Sequence, residues 1–138
     1  VVSLNTADGA VLWKRPIGAV SIPTYDPESH ILYAASSNGG LQALSAADGS
    51  ILWTQKMSRS GLASSVQTFQ KDRLLVTWTQ GPLMMLNAKD GSIIWESRSP
   101  IQSLAPASSD DTRILVLSTT QQLHRFVYEA RKDDARKD

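Results

Sequence analysis

The apolar positions of this chain fall in short runs separated by turn-forming residues. Ile31 Leu32 Tyr33 Ala34 Ala35 Ser36 reads as a strand, Ser37 Asn38 Gly39 Gly40 as a turn, and Leu41 Gln42 Ala43 Leu44 as a second strand. Asp48 Gly49 then supplies the positive φ of a tight hairpin, and Ser50 Ile51 Leu52 Trp53 Thr54 Gln55 forms a third. Upstream, Ala19 Val20 Ser21 Ile22 Pro23 offers a fourth short strand, with the proline near its end. The order recurs downstream, with Leu74 Leu75 Val76 Thr77 Trp78 Thr79, the turn Gln80 Gly81 Pro82, and Leu83 Met84 Met85 Leu86.

A further unit starts with Ile101 Gln102 Ser103 Leu104, then Arg113 to Ser118 and Gln122 to Phe126, and breaks off at Tyr128 Glu129 Ala130. The first unit holds only its last two strands.

Self-similarity at a fixed period organises the whole chain. Leu4 Asn5 Thr6 Ala7 Asp8 Gly9 Ala10 Val11 Leu12 Trp13 matches Leu44 to Trp53 and Leu86 to Trp95. The tryptophans lie 40 and 42 residues apart, and each follows the glycine of an Asp-Gly pair by four. Four short antiparallel strands per roughly 40 residues is the mark of a β-propeller blade. The expected fold is therefore all-β, with four-stranded antiparallel blades. Its divisions are 1–18 as the end of a blade, 19–56 and 57–98 as blades, and 99–128 as an incomplete blade. Residues 129–138 form a charged tail, disordered or briefly helical, within a partial propeller of about three blades.

Ala43 Leu44 Ser45 Ala46 Ala47 Asp48 Gly49 Ser50 Ile51 Leu52 Trp53 resembles the tryptophan-docking motif of the quinoprotein (PQQ-like) β-propeller family. The opening position is Ser3, Ala43 or Met85, and the third is Asn5, Ser45 or Asn87. Aspartate replaces the family's usual threonine before the glycine in all three copies, at Asp8, Asp48 and Asp90, and both residue types can bond the local backbone. The resemblance implies that Gly9, Gly49 and Gly91, with Trp13, Trp53 and Trp95, form structural docking motifs that join neighbouring blades. Trp78 aligns with Ser36 and has two readings, sheet packing or an exposed aromatic contact for a partner. On the docking reading Trp53→Ala costs far more stability than Trp78→Ala, and Gly49→Val is severe.

Composition narrows the chemistry. The chain has 138 residues, 14 Lys and Arg against 13 Asp and Glu, and a net charge of +1, so it carries no field suited to a nucleic-acid backbone. The absence of cysteine excludes disulfides, thiolate metal sites and cysteine nucleophiles. The run Val1 Val2 Ser3 Leu4 Asn5 begins directly on a strand-like segment, which is expected of a processed product or a piece of a longer chain. Propellers have four to eight blades, so the length reads as part of one.

No Gly-x-Ser-x-Gly, Gly-x-Gly-x-x-Gly, phosphate loop or His-Glu-x-x-His is present. His30 precedes a strand in a turn, and His124 has no ligand partner at metal spacing. Asp110 and Asp111 sit in the polar loop 108–112, where loop packing outweighs cation binding. Met84 and Met85 lie on alternate strand faces, one of them packing between blades. No catalytic, cofactor-binding or metal residue is assigned.

The family resemblance implies two function classes. Some members are quinone- and calcium-dependent alcohol or sugar dehydrogenases; others lack a cofactor and serve as interaction platforms, in outer-membrane assembly and in the endoplasmic-reticulum membrane protein complex. The expected role is a cofactor-free scaffold, not an enzyme, with protein partners and no nucleic acid. The remainder of the ring is expected from missing sequence or another chain. The expected setting is extracytoplasmic, periplasm or ER lumen, and membrane-associated. A dehydrogenase fragment and an extracytoplasmic ligand sensor are the alternatives.

Overall fold

Short apolar runs joined by tight turns cannot bury their faces singly, so they pair as hairpins and stack as sheets. A computed structural model describes residues 1–18, 21–37, 40–56, 63–98, 101, 103, 108–110 and 112–127. Among the described residues four antiparallel sheets follow one another. The first pairs β1 (Val2–Leu4) with β2 (Val11–Lys14). The second is the meander β3 (Thr24–Asp26), β4 (Ile31–Ala35), β5 (Gly40–Ser45) and β6 (Ile51–Lys56). The third is β7 (Ala63–Phe69), β8 (Arg73–Trp78), β9 (Met84–Asn87) and β10 (Ile93–Glu96). The fourth is β11 (Ser108–Ser109), β12 (Arg113–Leu117) and β13 (Leu123–Val127). This is a partial β-propeller.

Two strands lie elsewhere than their apolar content suggests. Within Ala19 to Pro23, residues 19 and 20 are outside the described set, while Ser21, Ile22 and Pro23 are not in a strand and Ile22 is 88% exposed. The strand is Thr24–Asp26, because Asp26 must pair with Ile31 across the turn 27–30, in which His30 takes a φ of 56°. Likewise Ile101 and Ser103 belong to no strand, and Gln102 and Leu104 are outside the described residues. The fourth sheet opens at Ser108–Ser109, within the segment read as a loop, with Ser109 opposite Ile114. A hairpin selects the residues beside its turn as the partner strand, whatever their hydrophobicity. Asn38 and Gly39 of the first turn, Tyr128 and the 129–138 tail also fall outside the described residues.

The middle strands carry the core. One apolar cluster joins Tyr33, Ala35, Leu41 and Ala43 of the second sheet to Val66, Leu74, Val76, Trp78, Met84 and Leu86 of the third. The opposite face of the third sheet, with Phe69, Leu75, Leu83 and Met85, packs on Ile101, Ile114 and Val116. Met84 and Met85 thus serve two different seams. The outer strands β2, β6 and β10 stay largely exposed.

Candidate functional site: the seams between blades

Each motif begins with an Asx turn. Asp48 Oδ1 accepts from the Ser50 N–H at 3.0 Å and the Ser50 hydroxyl at 2.8 Å; Asp90 Oδ1 accepts from the Ser92 N–H at 2.9 Å and hydroxyl at 2.7 Å. In the first copy Asp8 Oδ1 accepts from the Ala10 N–H at 3.0 Å, and alanine supplies no hydroxyl. The glycines then turn the chain at φ values of 73°, 69° and 75° for Gly9, Gly49 and Gly91. Their amides donate back to the carbonyls of Asn5, Ser45 and Asn87.

A β-bulge follows in every copy. Trp13 faces Ser3 while Val11 faces Leu4, leaving Leu12 as the extra residue; Leu52 and Ile94 are its counterparts. The bulge resets the side-chain alternation, so that the indole turns to the opposite face from the apolar pair before it. Strict alternation along the strand would leave each tryptophan on the side of Val11, Ile51 or Ile93.

The redirected indoles cross the seams. Trp13 Nε1 donates to the Ala46 carbonyl of the second sheet at 2.9 Å, and its ring lies on Gly49, where a β-carbon would sit 2.6 Å from Cε3. Arg15 Nε adds a bond to the Gly49 carbonyl at 2.7 Å. One seam later, Trp53 Nε1 donates to the Ala88 carbonyl at 3.0 Å and its ring lies on Gly91, with a β-carbon there 2.7 Å from Cε3. Tyr33 packs beside Trp53, centroids 6.0 Å apart, and its hydroxyl reaches the same Ala88 carbonyl at 3.5 Å. The Thr24 hydroxyl donates to the Val66 carbonyl, joining β3 to β7. Trp95 meets a different surface, the edge of Phe126 at 5.6 Å and 70°.

Trp78 is 2% exposed and faces the second sheet, so the reading of it as an exposed partner contact is corrected. It lies opposite Ala63 at the end of β8, and Gly81 backs onto it so closely that a β-carbon would sit 2.8 Å from Trp78 Cβ.

The remaining candidates are occupied by local structure. Asp110 accepts from the N–H groups of Thr112 and Arg113 at 2.9 and 2.7 Å and pairs with the Arg113 guanidinium at 2.8 Å. The Thr112 N–H, then that of Arg113, hold its carboxyl below the usual carboxylate range. Asp111 is outside the described residues. His30 Nδ1 lies 2.9 Å from the Tyr25 hydroxyl on an exposed turn, and His124 borders an open groove of about 410 Å³ beside Trp95 and Phe126. Among the described residues no group of three or more His, Cys, Asp or Glu could hold a metal ion, and no helix is long and apolar enough to cross a membrane.

The Asx turns make a pH prediction. The Ser50 N–H, then its hydroxyl, hold the Asp48 carboxyl below the ordinary range; for Asp90 the Ser92 hydroxyl leads and its N–H follows. A carboxyl lowered in the folded state stabilises above its unfolded pKa, about 3.9, and that contribution is lost as pH falls through the folded value. Ser92→Ala is expected to move Asp90 back toward the ordinary value. An NMR titration of the carboxyl carbons checks it, with Asp48 unchanged as the internal control.

The family model described as outer membrane protein assembly factor BamB matches residues 1–124. No curated protein matches the sequence. Among solved structures, BamB from Moraxella catarrhalis superposes with a TM-score of 0.73 at 15% identity, over 86% of this chain and 38% of that one. The C-terminal WD40 domain of Sif2 gives 0.73 at 15% identity, over 88% and 35%. The computationally designed Ika4 protein gives 0.62 at 8% identity, over 78% and 64%. The chain thus spans less than two thirds of each of these structures, and at such identities the likeness is one of fold. The repeat, the seams and the family match together place the chain in the BamB-type PQQ-like propeller family.

Proposed function

We propose that this chain is a non-catalytic propeller segment that works as a protein–protein interaction scaffold in a membrane-associated, extracytoplasmic assembly. The observation that carries the reading is the match to the outer-membrane assembly family over residues 1–124. The seam geometry agrees with it. The motif tryptophans and aspartates are engaged in turns and seam packing, which suits a rigid platform. Such a platform presents its loops and rim to partners while its core stays fixed.

Two measurements test the proposal. The chain, exported to the periplasm of a Gram-negative host as a fusion to a proximity-labelling enzyme, is expected to enrich outer-membrane assembly proteins over an exported enzyme alone. Equal labelling would count against it. The purified chain is also expected neither to bind pyrroloquinoline quinone with calcium nor to reduce a dye acceptor with an alcohol or sugar. Stoichiometric binding with turnover would replace the scaffold by a dehydrogenase.

A further inference from the structure

The near-neutral charge of the chain conceals a separation between the two ends of its strands. At one end lie the motif turns and, in the second to fourth sheets, the turn between the first two strands. At the other end β2, β6 and β10 finish, beside the β4–β5 and β8–β9 turns. The links between sheets share that second end: the Ser37 N–H donates to the Gly18 carbonyl at 3.0 Å, and the Ile101 N–H to the Gly81 carbonyl at 2.8 Å. Seven of the eight described carboxylates stand at the motif-turn end. Asp8, Asp48 and Asp90 are in the motif turns; Asp26, Glu28, Asp72 and Asp110 are in or beside the other turns. Of the four bases there, Arg73 pairs with Asp72 at 3.6 Å and Arg113 with Asp110 at 2.8 Å, and Lys71 and Lys89 are exposed.

At the other end the balance is reversed. Lys14 and Arg15 close the first outer strand, Lys56 closes the second and Arg98 follows the third, against the one described carboxylate of Glu96. Each outer strand thus ends on or beside a cation. All four are exposed, and none forms an ion pair among the described residues. Only Arg15 has a structural task, its bond to the Gly49 carbonyl. In the link from β2 to β3, at the same end, Ile22 is 88% exposed, more than any other large apolar side chain among the described residues.

We propose that the end of the arc where β2, β6 and β10 finish is the docking face for an acidic segment of a partner protein. The segment crosses the outer strands, sets a carboxylate against one cation per blade and covers Ile22 with an apolar side chain. Charge complementarity fixes the occupant. Cations dealt one to a blade suit a chain that runs across the strands, whereas an anionic lipid surface is matched by about four to eight bases clustered together. The acidic end of the same arc opposes a nucleic acid. A second copy would have to offer that acidic end, where Asp8, Asp48 and Asp90 are folded back onto their own turns and interrupted by Lys71 and Lys89. The inference rests on the scaffold reading for its use and gives the chemistry of the partner. Its test is made on the purified chain, so failure there leaves the periplasmic labelling to decide the scaffold separately.

The probe is a short fluorescent peptide rich in Glu with one central Leu, followed by anisotropy. It is expected to bind saturably, with an affinity that falls steeply as salt is raised. Lys14→Glu, Lys56→Glu and Arg98→Glu are each expected to weaken it about two- to tenfold, and the three together to abolish binding. Lys71→Glu with Lys89→Glu, at the opposite end, is expected to leave the affinity within about twofold. Ile22→Ser weakens the Leu peptide but not an analogue with Ser in place of Leu. All these positions are exposed, so the variants keep the fold, which circular dichroism checks. Binding that survives the triple variant, an equal loss from the Lys71 and Lys89 pair, or a Leu peptide held no better than its Ser analogue would overturn the proposal. Tighter binding to phosphatidylglycerol vesicles than to the peptide would overturn it by making lipid the occupant. Salt-sensitive self-association that the triple variant removes would overturn it in favour of a second copy.

Discussion

Trp78→Ala is expected to destabilise the chain by about 3–5 kcal/mol in urea unfolding, as much as Trp53→Ala rather than far less, because the Trp78 ring is buried in the core of the seam. Both rings sit in the seam between the second and third sheets, but they hold it differently. Trp53 is half-buried and bonded to the Ala88 carbonyl, whereas Trp78 is 2% exposed and its indole N–H has no hydrogen-bond partner among the described residues. Among the described residues Trp78 contributes through packing against the cluster of Tyr33, Leu41, Val66 and Met84. Trp78→Phe consequently loses volume alone and is expected to cost less than half as much as Trp78→Ala. A loss below about 1 kcal/mol for Trp78→Ala would show that the ring is not part of this core.

Gly91→Val is expected to be about as damaging, at about 3–5 kcal/mol, while Gly9→Val costs only about 1–2 kcal/mol. The comparison separates two effects that usually arrive together. Both glycines have positive φ, so valine is strained at either one. Only at Gly91 would the added carbon also strike a ring, Cε3 and Cζ3 of Trp53 at 2.7 Å each. The difference between the two variants, measured by chemical denaturation in parallel, is the steric share of the seam. Equal costs would mean that backbone strain alone explains the glycine.

The repeat was legible because its turns are written in residue types with one backbone preference. Asp-Gly at 8–9, 48–49 and 90–91 marks the hairpins, and the tryptophan four residues on marks the seam. The bulges at Leu12, Leu52 and Ile94 were not legible. An extra residue in a strand is set by its partner, and nothing in Val11 Leu12 Trp13 distinguishes a bulge from plain alternation. The left-handed residues His30, Gln70 and Gln121 were hidden for a similar reason, since neither His nor Gln announces a φ of 56°, 54° or 61°.

In the second and fourth units hydrophobicity does not locate the first strand. Hydrophobicity favoured Ala19 to Pro23 and Ile101 to Leu104, yet the partner of β4 is Thr24–Asp26 and that of β12 is Ser108–Ser109. Pairing across a tight turn outweighs side-chain polarity there. For Trp78 burial decides between the two readings in favour of sheet packing; the aligned residue in the second unit, the small Ser36, does not by itself show that this position faces a neighbouring sheet.

A double-mutant cycle on Trp53 and Gly91 tests most directly the claim that this chain is an arc of blades joined by indoles docked on glycines. If the ring of Trp53 rests on Gly91, removing it frees the space that valine needs. In the Trp53→Ala background, Gly91→Val is then expected to cost only the backbone strain, about 1–2 kcal/mol, instead of about 3–5. An undiminished cost in that background would mean that the indole does not lie on the glycine, and would contradict the account.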